Sequence, residues 1–325
     1  MTTLVTGAPG WLGTRLVEEL VRQGRSVRCL VETGLEPGIL YGLPVEIAHG
    51  DVRRADSLLK AMAGVDIVFH CAGVIHPKAV SDLYAVNTRG TENMLRTAVA
   101  EGIGKFVYVS SISAQGVNIN DDQLMAEDQP CRPESDYGRS KYLAEQLVTE
   151  YRETHGLATV IVRPPILYGP GQPARWTRLM RMVRRGTPLV FGDGHNLRSM
   201  VYIDNAISAL LLAEGNPAAT GRTYYIGDQR PYTTLEILET IASVLRVRFR
   251  PIRIPVIAAK ACETAARTLS RMDLYSTELH AVGESYKTIA CGISKAKEEL
   301  GYEPKVSLQL GMQTAIEWCL RQGHL

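Results

Sequence analysis

No stretch of the sequence reaches the roughly 18 uncharged apolar residues that a membrane-crossing helix requires. An excess of one charge is lacking too: 36 basic residues stand against 34 acidic ones, a net of +2. Nucleic acid is therefore not expected as a partner. The six cysteines, at positions 29, 71, 131, 262, 291 and 319, never form a C-x-x-C pair. They supply neither zinc-ligand spacing nor a dense disulfide framework, so a reducing cytoplasm is the expected compartment. The seven histidines include no H-E-x-x-H or H-x-H cluster, and no metal is expected. Internal repeats and low-complexity segments are missing, and a 45% hydrophobic content excludes disorder and collagen-like architecture. Thr3-Leu4-Val5-Thr6 already reads as a short buried strand, so no signal or transit peptide is expected.

What is present is an alternation. Over the first 165 residues, short apolar runs at 4–5, 27–31, 45–48, 67–69, 106–109 and 159–162 alternate with amphipathic stretches such as 12–22 and 88–101. Strands separated by helices of this length imply βαβ units and a parallel sheet covered on both faces. After Pro164 the texture becomes richer in loop and proline, with helical patterns at 235–245, 294–300 and 308–319. A length of 325 residues, at about 150 per domain, suggests two lobes. The expected fold is α/β: a doubly wound parallel sheet of Rossmann type with a smaller, mixed α/β substrate-binding lobe. Residues 1–165 with about 200–228 are assigned to the first, and about 166–199 with 229–325 to the second.

The first strand runs into Thr6-Gly7-Ala8-Pro9-Gly10-Trp11-Leu12-Gly13, and the helical pattern Leu16, Val17, Leu20, Val21 follows. Strand, glycine-rich turn and helix in that order form a dinucleotide site. Gly7 allows the tight turn, Gly10 the approach of a pyrophosphate, and Gly13 close packing of helix on sheet. The helix N-terminus, including Trp11 and Leu12, then faces the phosphates. Gly50-Asp51-Val52 follows another strand, where Asp51 can accept from an adenine amino group, cap a helix over 53–62, or do both. His70-Cys71-Ala72-Gly73 ends a further strand in small residues that let a cofactor pass, and His70 reads as a packed strand-end residue. The second strand ends on Glu32, which suits a ribose hydroxyl and repels a 2′-phosphate, while Arg28 lies too far back to neutralise one. NAD is therefore favoured over NADP.

Tyr137-Gly138-Arg139-Ser140-Lys141 opens a strong helical run, and a spacing of four puts Tyr137 and Lys141 on one face. An ammonium beside a phenol favours phenolate and so suits proton transfer. About 26 residues earlier a strand ends on the hydroxyls of Ser110 and Ser111, which can hold a reacting oxygen.

Taken together, these residues resemble the extended short-chain dehydrogenases/reductases, specifically the NAD-dependent epimerase/dehydratase branch. The resemblance spans almost the whole chain. It adds Asn87, Arg163-Pro164 with Tyr168-Gly169-Pro170-Gly171, Val201-Tyr202-Ile203-Asp204-Asn205, and Ser294-Lys295-Ala296 with Leu300-Gly301-Tyr302. It implies that Tyr137 is the acid/base, that Lys141 holds the nicotinamide ribose and lowers the tyrosine pKa, and that Ser111 binds the reacting oxygen. Pro164 would line the nicotinamide end; Asn87 is either a cofactor contact or a plain helix-cap or turn residue. The resemblance further implies a homodimer built on helices near 91–101 and 137–155. Ile112-Ser113 follows Ser111 where sugar dehydratases carry an Asp-Glu pair, which argues against a 4,6-dehydratase. Ala114-Gln115-Gly116 replaces the V-Y-G of many epimerases.

Between 171 and 200 lie six arginines, at 175, 178, 181, 184, 185 and 198, against one acid, Asp193. Arg246, Arg248, Arg250 and Arg253 follow, the first three on one side if that stretch is a strand. The remainder carries 26 basic against 33 acidic residues, a net of −7. Forked donors concentrated in this way suit phosphate oxygens, although a solvated basic face is the plainer alternative for both clusters. His195 reads as a loop residue. The expected substrate residues are Ser111, Ser113, Arg175, Asn196 and Arg198, with Arg198 first and Arg175 second toward a pyrophosphate. These features favour an NAD-dependent nucleotide-sugar epimerase, similar to UDP-sugar 4-epimerases. The alternatives are a hydroxysteroid dehydrogenase- or dihydroflavonol reductase-like enzyme on a neutral alcohol or ketone, and a non-catalytic NAD-binding regulator. The last would be expected to have lost Tyr137 or Lys141.

Overall fold

A computed structural model describes residues 1–325. The strands are β1 (Thr2–Thr6), β2 (Ser26–Val31), β3 (Glu46–His49), β4 (Ile67–His70), β5 (Lys105–Val109), β6 (Thr159–Arg163), β7 (Ile166–Tyr168), β8 (Leu189–Phe191), β9 (Leu197–Arg198), β10 (Met200–Tyr202), β11 (Thr223–Tyr225), β12 (Tyr232–Thr233) and β13 (Ile252–Ile254). Seven of them form one parallel sheet in the order β11-β6-β5-β4-β1-β2-β3. Its six early strands have the 3-2-1-4-5-6 order of the doubly wound fold, whose switch point lies between β1 and β4. β11 shows that the later chain does return to the sheet. The remaining six strands pair off as β7 with β10, β9 with β12 and β8 with β13.

The helices are α1 (Trp11–Arg22), α2 (Leu59–Met62), α3 (Val80–Leu83), α4 (Thr91–Ala100), α5 (Asp136–His155), α6 (Ala174–Arg184), α7 (Ile203–Gly215), α8 (Thr234–Leu245), α9 (Val256–Ser270), α10 (Thr277–Glu284), α11 (Ser294–Leu300) and α12 (Leu308–Arg321). Strand side chains alternate between faces, which divides the core in two. Val5, Phe69, Val107 and Val160 pack with α1, α7 and α11; Leu4, Val68, Phe106 and Ile161 pack with α4 and α5. Each such fully buried side chain contributes roughly 1.5–3 kcal/mol. A third core, including Trp176, Met180, Ile237, Ile241, Met312 and Ile316, joins α6, α8 and α12. Asp228 ties this lobe to the sheet: it is buried and accepts from Tyr168 Oη at 2.7 Å, Tyr202 N at 3.1 Å and Asn205 Nδ2 at 3.2 Å.

The structure departs from one sequence expectation and decides between alternatives at three other places. The helix expected over 53–62 is only a 3₁₀ turn at Ala55–Ser57 and the single turn of α2. Asn87 is no N-cap: it lies buried inside a π-helical stretch, Tyr84–Gly90. Residues 246–250 are not a strand, since Arg246 caps α8 in a left-handed conformation and β13 begins only at Ile252. Val247 and Phe249 pack inward while Arg246, Arg248 and Arg250 are exposed, so that cluster is a solvated basic face. The α6 arginines behave likewise: Arg178 pairs with Glu278, Arg181 donates to the His324 carbonyl, and both are exposed with Arg184 and Arg185. No helix is long and apolar enough to cross a membrane.

Candidate active site

The cofactor half of the site begins where β1 ends. Gly7 has φ +79°, and a Cβ there would lie 2.7 Å from the Ala72 nitrogen. A Cβ on Gly10 or Gly13 would come within 2.6 Å of the Gly7 carbonyl oxygen, so the turn is closed around that atom. α1 starts at Trp11 without a side-chain cap, leaving first-turn N–H groups for a phosphate. Trp11 donates its indole N–H to the Pro170 carbonyl at 2.7 Å, while Leu12 packs against the core. A cleft of about 360 Å³ opens here, bordered by the Gly7–Gly10 turn, Glu32, Asp51, Val52, Ala72 and Gly73. Val52 accepts at its carbonyl from Asn93 Nδ2, which fixes the edge of the cleft.

His70 is buried and satisfied. Thr91 Oγ1 donates to the Asn87 carbonyl and so accepts from His70 Nε2; Thr6 Oγ1, which accepts from Ala72 N, then donates to Nδ1. Those directions require the neutral ring, and burial depresses its pKa to about 3. It packs at a strand end, as its sequence context suggests, and Asn87 beside it orders the next loop. Asn87 Oδ1 accepts from Val74 N at 2.8 Å, and its Nδ2 donates to the Val74 carbonyl and Ser140 Oγ, each at 2.9 Å.

The groups expected to react stand at the ends of β5 and β6 and on the first turns of α5. Ser135 caps α5 through Gly138 N, which sets Tyr137 in the first turn. One turn on, Lys141 is buried, donates to the Val109 carbonyl at 2.8 Å and lies 4.7 Å from the Tyr108 ring centroid. Burial lowers its pKa to about 8. Burial raises that of Tyr137, and the Ser111 hydroxyl and the charge of Arg175 oppose the rise. Ser111 Oγ also accepts from Ser113 N at 3.2 Å, while the buried Ser110 hydroxyl has no partner. Pro164, just after β6, accepts at its carbonyl from Ile112 N at 3.0 Å. This arrangement can exchange a proton with a bound hydroxyl. The uncapped helix, the glycine cradle and the unpartnered Ser110 hydroxyl fit a dinucleotide.

Residues 3–227 match the NAD dependent epimerase/dehydratase family. The chain belongs to that family. It is 38% identical to uncharacterized protein y4nL of Sinorhizobium fredii over 99% of this chain and 96% of that one. It is 29% identical to a UDP-glucose 4-epimerase of Vibrio cholerae, covering 99% and 96%. It is also 29% identical to a 3 beta-hydroxysteroid dehydrogenase/Delta 5-->4-isomerase of Mycobacterium tuberculosis, covering 97% and 89%. Its fold is that of the UDP-glucuronic acid 4-epimerase from Bacillus cereus, solved with UDP-glucuronic acid and NAD: TM-score 0.79, 23% identity, 99% and 100% coverage.

In this epimerase/dehydratase chain the expected substrate residues fare unequally. Arg175 lies near Tyr137: its Nη1 is 3.2 Å from His76 Nε2, and it and Tyr137 each favour the other's charged form. Arg198 is half-buried and donates to the Glu284 carbonyl, with no carboxylate hydrogen bond of its own. Burial lowers its pKa against the opposing charge of Glu284. Asn196 is not available to a ligand. Its Nδ2 donates to the Ser285 and Lys287 carbonyls, and its Oδ1 accepts from Thr234 Oγ1.

Sequence reasoning missed the α9–α10 hairpin, whose alanine-rich α9 buries only Ala259 and Ala266 and so has no clear apolar stripe. Its Ser270 donates to Asp136, the neighbour of Tyr137, and Asp273 accepts from Ser81 N at 2.7 Å and Ser81 Oγ at 2.8 Å. The hairpin also brings Tyr275, stacked on His280 at 4.5 Å, toward His76. Arg53, between Glu32 and Asp51, escaped notice as well, because an arginine after a Gly-Asp-Val turn has no signature of its own.

Proposed function

We propose that the chain is an NAD-dependent epimerase of nucleotide sugars, with UDP-sugars the favoured class. The observation that carries this reading is the pair Arg175 and Arg198. Among the six arginines of the 171–200 stretch, these two lie beside Tyr137 and Glu284 and make no hydrogen bond to a carboxylate. Arg198 is half-buried, and Arg175, though exposed, lies within reach of the charge of Tyr137; guanidinium groups so placed without carboxylate partners favour an anionic ligand, and a diphosphate supplies the matching oxygens.

In this reading Ser111 holds the oxygen of the reacting sugar hydroxyl, and Tyr137 takes its proton and later returns it. Lys141 keeps a positive charge beneath the site, which favours the tyrosinate. Gly7, Gly10, Gly13, Trp11, Leu12, Asp51, Val52, Ala72, Gly73, Asn87, Ser110 and Pro164 would hold NAD, which would supply a reversible hydride acceptor. Loss and return of hydride on opposite faces of the sugar changes one stereocentre without net oxidation. The four-helix dimer interface is proposed on α4 and α5, with Leu143 exposed on α5.

One set of incubations tests this. Purified protein is given UDP-sugars, and both product stereochemistry and NADH absorbance are followed. Epimer formed without net NADH supports the proposal; stoichiometric NADH with a keto or acid product overturns it. A neutral hydroxysteroid belongs in the same series. Ile75, Met272 and Leu274 are exposed where Ala79 bridges to Leu274, an apolar rim that favours the dehydrogenase alternative. Turnover of the steroid alone would decide for it.

A further inference from the structure

We propose that Arg53 is the cofactor selector of this chain: sequestered by Glu32, it leaves the adenosine ribose site to a 2′-hydroxyl, and released, it takes a 2′-phosphate. The inference rests on the reading of the cleft beside Gly7 as the adenosine site. Arg53 Nη2 is 2.7 Å from Glu32 Oε1 and 2.7 Å from Asp51 Oδ2, and its Nε donates to both Asp51 oxygens at 3.0 and 2.9 Å. One guanidinium therefore bridges the carboxylates that end β2 and follow β3, the two edges between which an adenosine must lie.

The two partners hold Arg53 unequally. The Asp51 side chain is 16% exposed and accepts from Arg53 N as well, so this contact is built into the turn. Glu32 is 57% exposed and meets Arg53 by a single oxygen. Exchange of that oxygen for one from a ligand is the easier rearrangement. No other cation is free to substitute. Arg28 donates to the Ala61 and Ala63 carbonyls and pairs with Glu46, and Arg54 pairs with Asp56. The charged groups bordering the cleft are Glu32, Asp51, Asp82 and Arg53, a net of −2. A 2′-phosphate, itself carrying about −1.5 to −2 at pH 7, is disfavoured there by repulsion and because the one matching fork is occupied. Glu32 does both, and a double substitution separates them.

The experiment is calorimetric titration of NAD and NADP into the intact protein, as wild type, Glu32→Gln, Arg53→Ala and the double variant. Thermal melting checks that each surface substitution leaves the fold in place. The wild-type chain is expected to bind NAD more tightly than NADP, which also tests the cleft reading by itself. Glu32→Gln is expected to tighten NADP binding by about tenfold or more, the worth of a charge-assisted hydrogen bond. Adding Arg53→Ala should abolish that gain. An unchanged NADP affinity in Glu32→Gln overturns the proposal, as does a gain that survives Arg53→Ala, since repulsion alone would then explain it. A wild-type preference for NADP, or binding of neither dinucleotide, overturns it too; the second also removes the cleft reading.

Discussion

Replacing Glu145 with alanine should destabilise the fold by about 3–5 kcal/mol, the penalty of leaving one member of a buried ion pair behind. The pair is bidentate: Arg163 Nε donates to Glu145 Oε1 at 2.9 Å and Nη2 to Oε2 at 2.7 Å, with the side chains only 5% and 6% exposed. The guanidinium's other donors reach Gln115 Oε1, Tyr225 Oη and Cys131 Sγ, so every donor atom is engaged, yet only Glu145 brings a charge. Two charge-assisted bonds at about 1.5–3 kcal/mol each give the same magnitude. The effect reaches the chemistry, because Tyr137, Lys141 and Glu145 recur every fourth residue on one face of α5. Urea unfolding monitored by circular dichroism reads the loss directly. Glu145→Gln, which keeps one acceptor, should fall between wild type and alanine. The volume-conserving pair Glu145→Leu with Arg163→Met should recover most of the loss, since no charge is then stranded. A Glu145→Ala protein within about 1 kcal/mol of wild type, or a double variant no better than the single one, would refute the reasoning.

Three further outcomes are expected. Tyr137→Phe should lower turnover by about 100- to 10,000-fold, the usual weight of a general acid/base, with calorimetric NAD affinity unchanged; a fully active variant would remove Tyr137 from the reaction. Gly7→Ala should abolish NAD binding and lower the melting temperature, because its Cβ meets backbone at 2.7 Å and its φ is +79°; wild-type affinity would contradict the cradle. His70, neutral with a folded pKa of about 3 against an unfolded 6.5, lets the unfolded chain bind its proton first. Its contribution should therefore reduce stability as pH falls below 6.5, by about 1.4 kcal/mol per unit until the folded pKa is approached. Equal pH slopes for wild type and His70→Gln between pH 7 and 5 would sink that account.

The parts of the molecule legible in the sequence are those with a period or a fixed spacing. β4, buried along its whole length, reads as the apolar run Ile67-Val68-Phe69, and α1 shows Leu16, Val17 and Leu20 on one face. The glycine turn and the Tyr137–Lys141 spacing are legible for the same reason. Arginine density was a poorer guide. It marked ten residues, of which Arg175 lies near Tyr137 and Arg198 is half-buried at the Glu284 carbonyl. An exposed fork and a half-buried one have the same sequence texture, and only tertiary placement separates Arg181, at the His324 carbonyl, from Arg198, at the Glu284 carbonyl.

What remained hidden has a common physical character. The helix that carries Tyr137 and Lys141 is held by polar side chains distant in sequence at three places: Asn87 on Ser140, Arg163 on Glu145, and Tyr84 with Ser270 on Asp136. None belongs to a periodic stripe, since each contributes one directed bond rather than an area of apolar surface. Ser140 in turn donates to the Tyr137 carbonyl, so the Asn87 contact reaches Tyr137 through a single residue. Directed bonds of this kind fix the position of a phenol in a way that apolar packing, tolerant of small slides, does not. The α9–α10 hairpin supplies one of these bonds, from Ser270 to Asp136. Through Asp136, the residue before Tyr137, it fixes the first turn of α5 from an element more than 130 residues away in sequence.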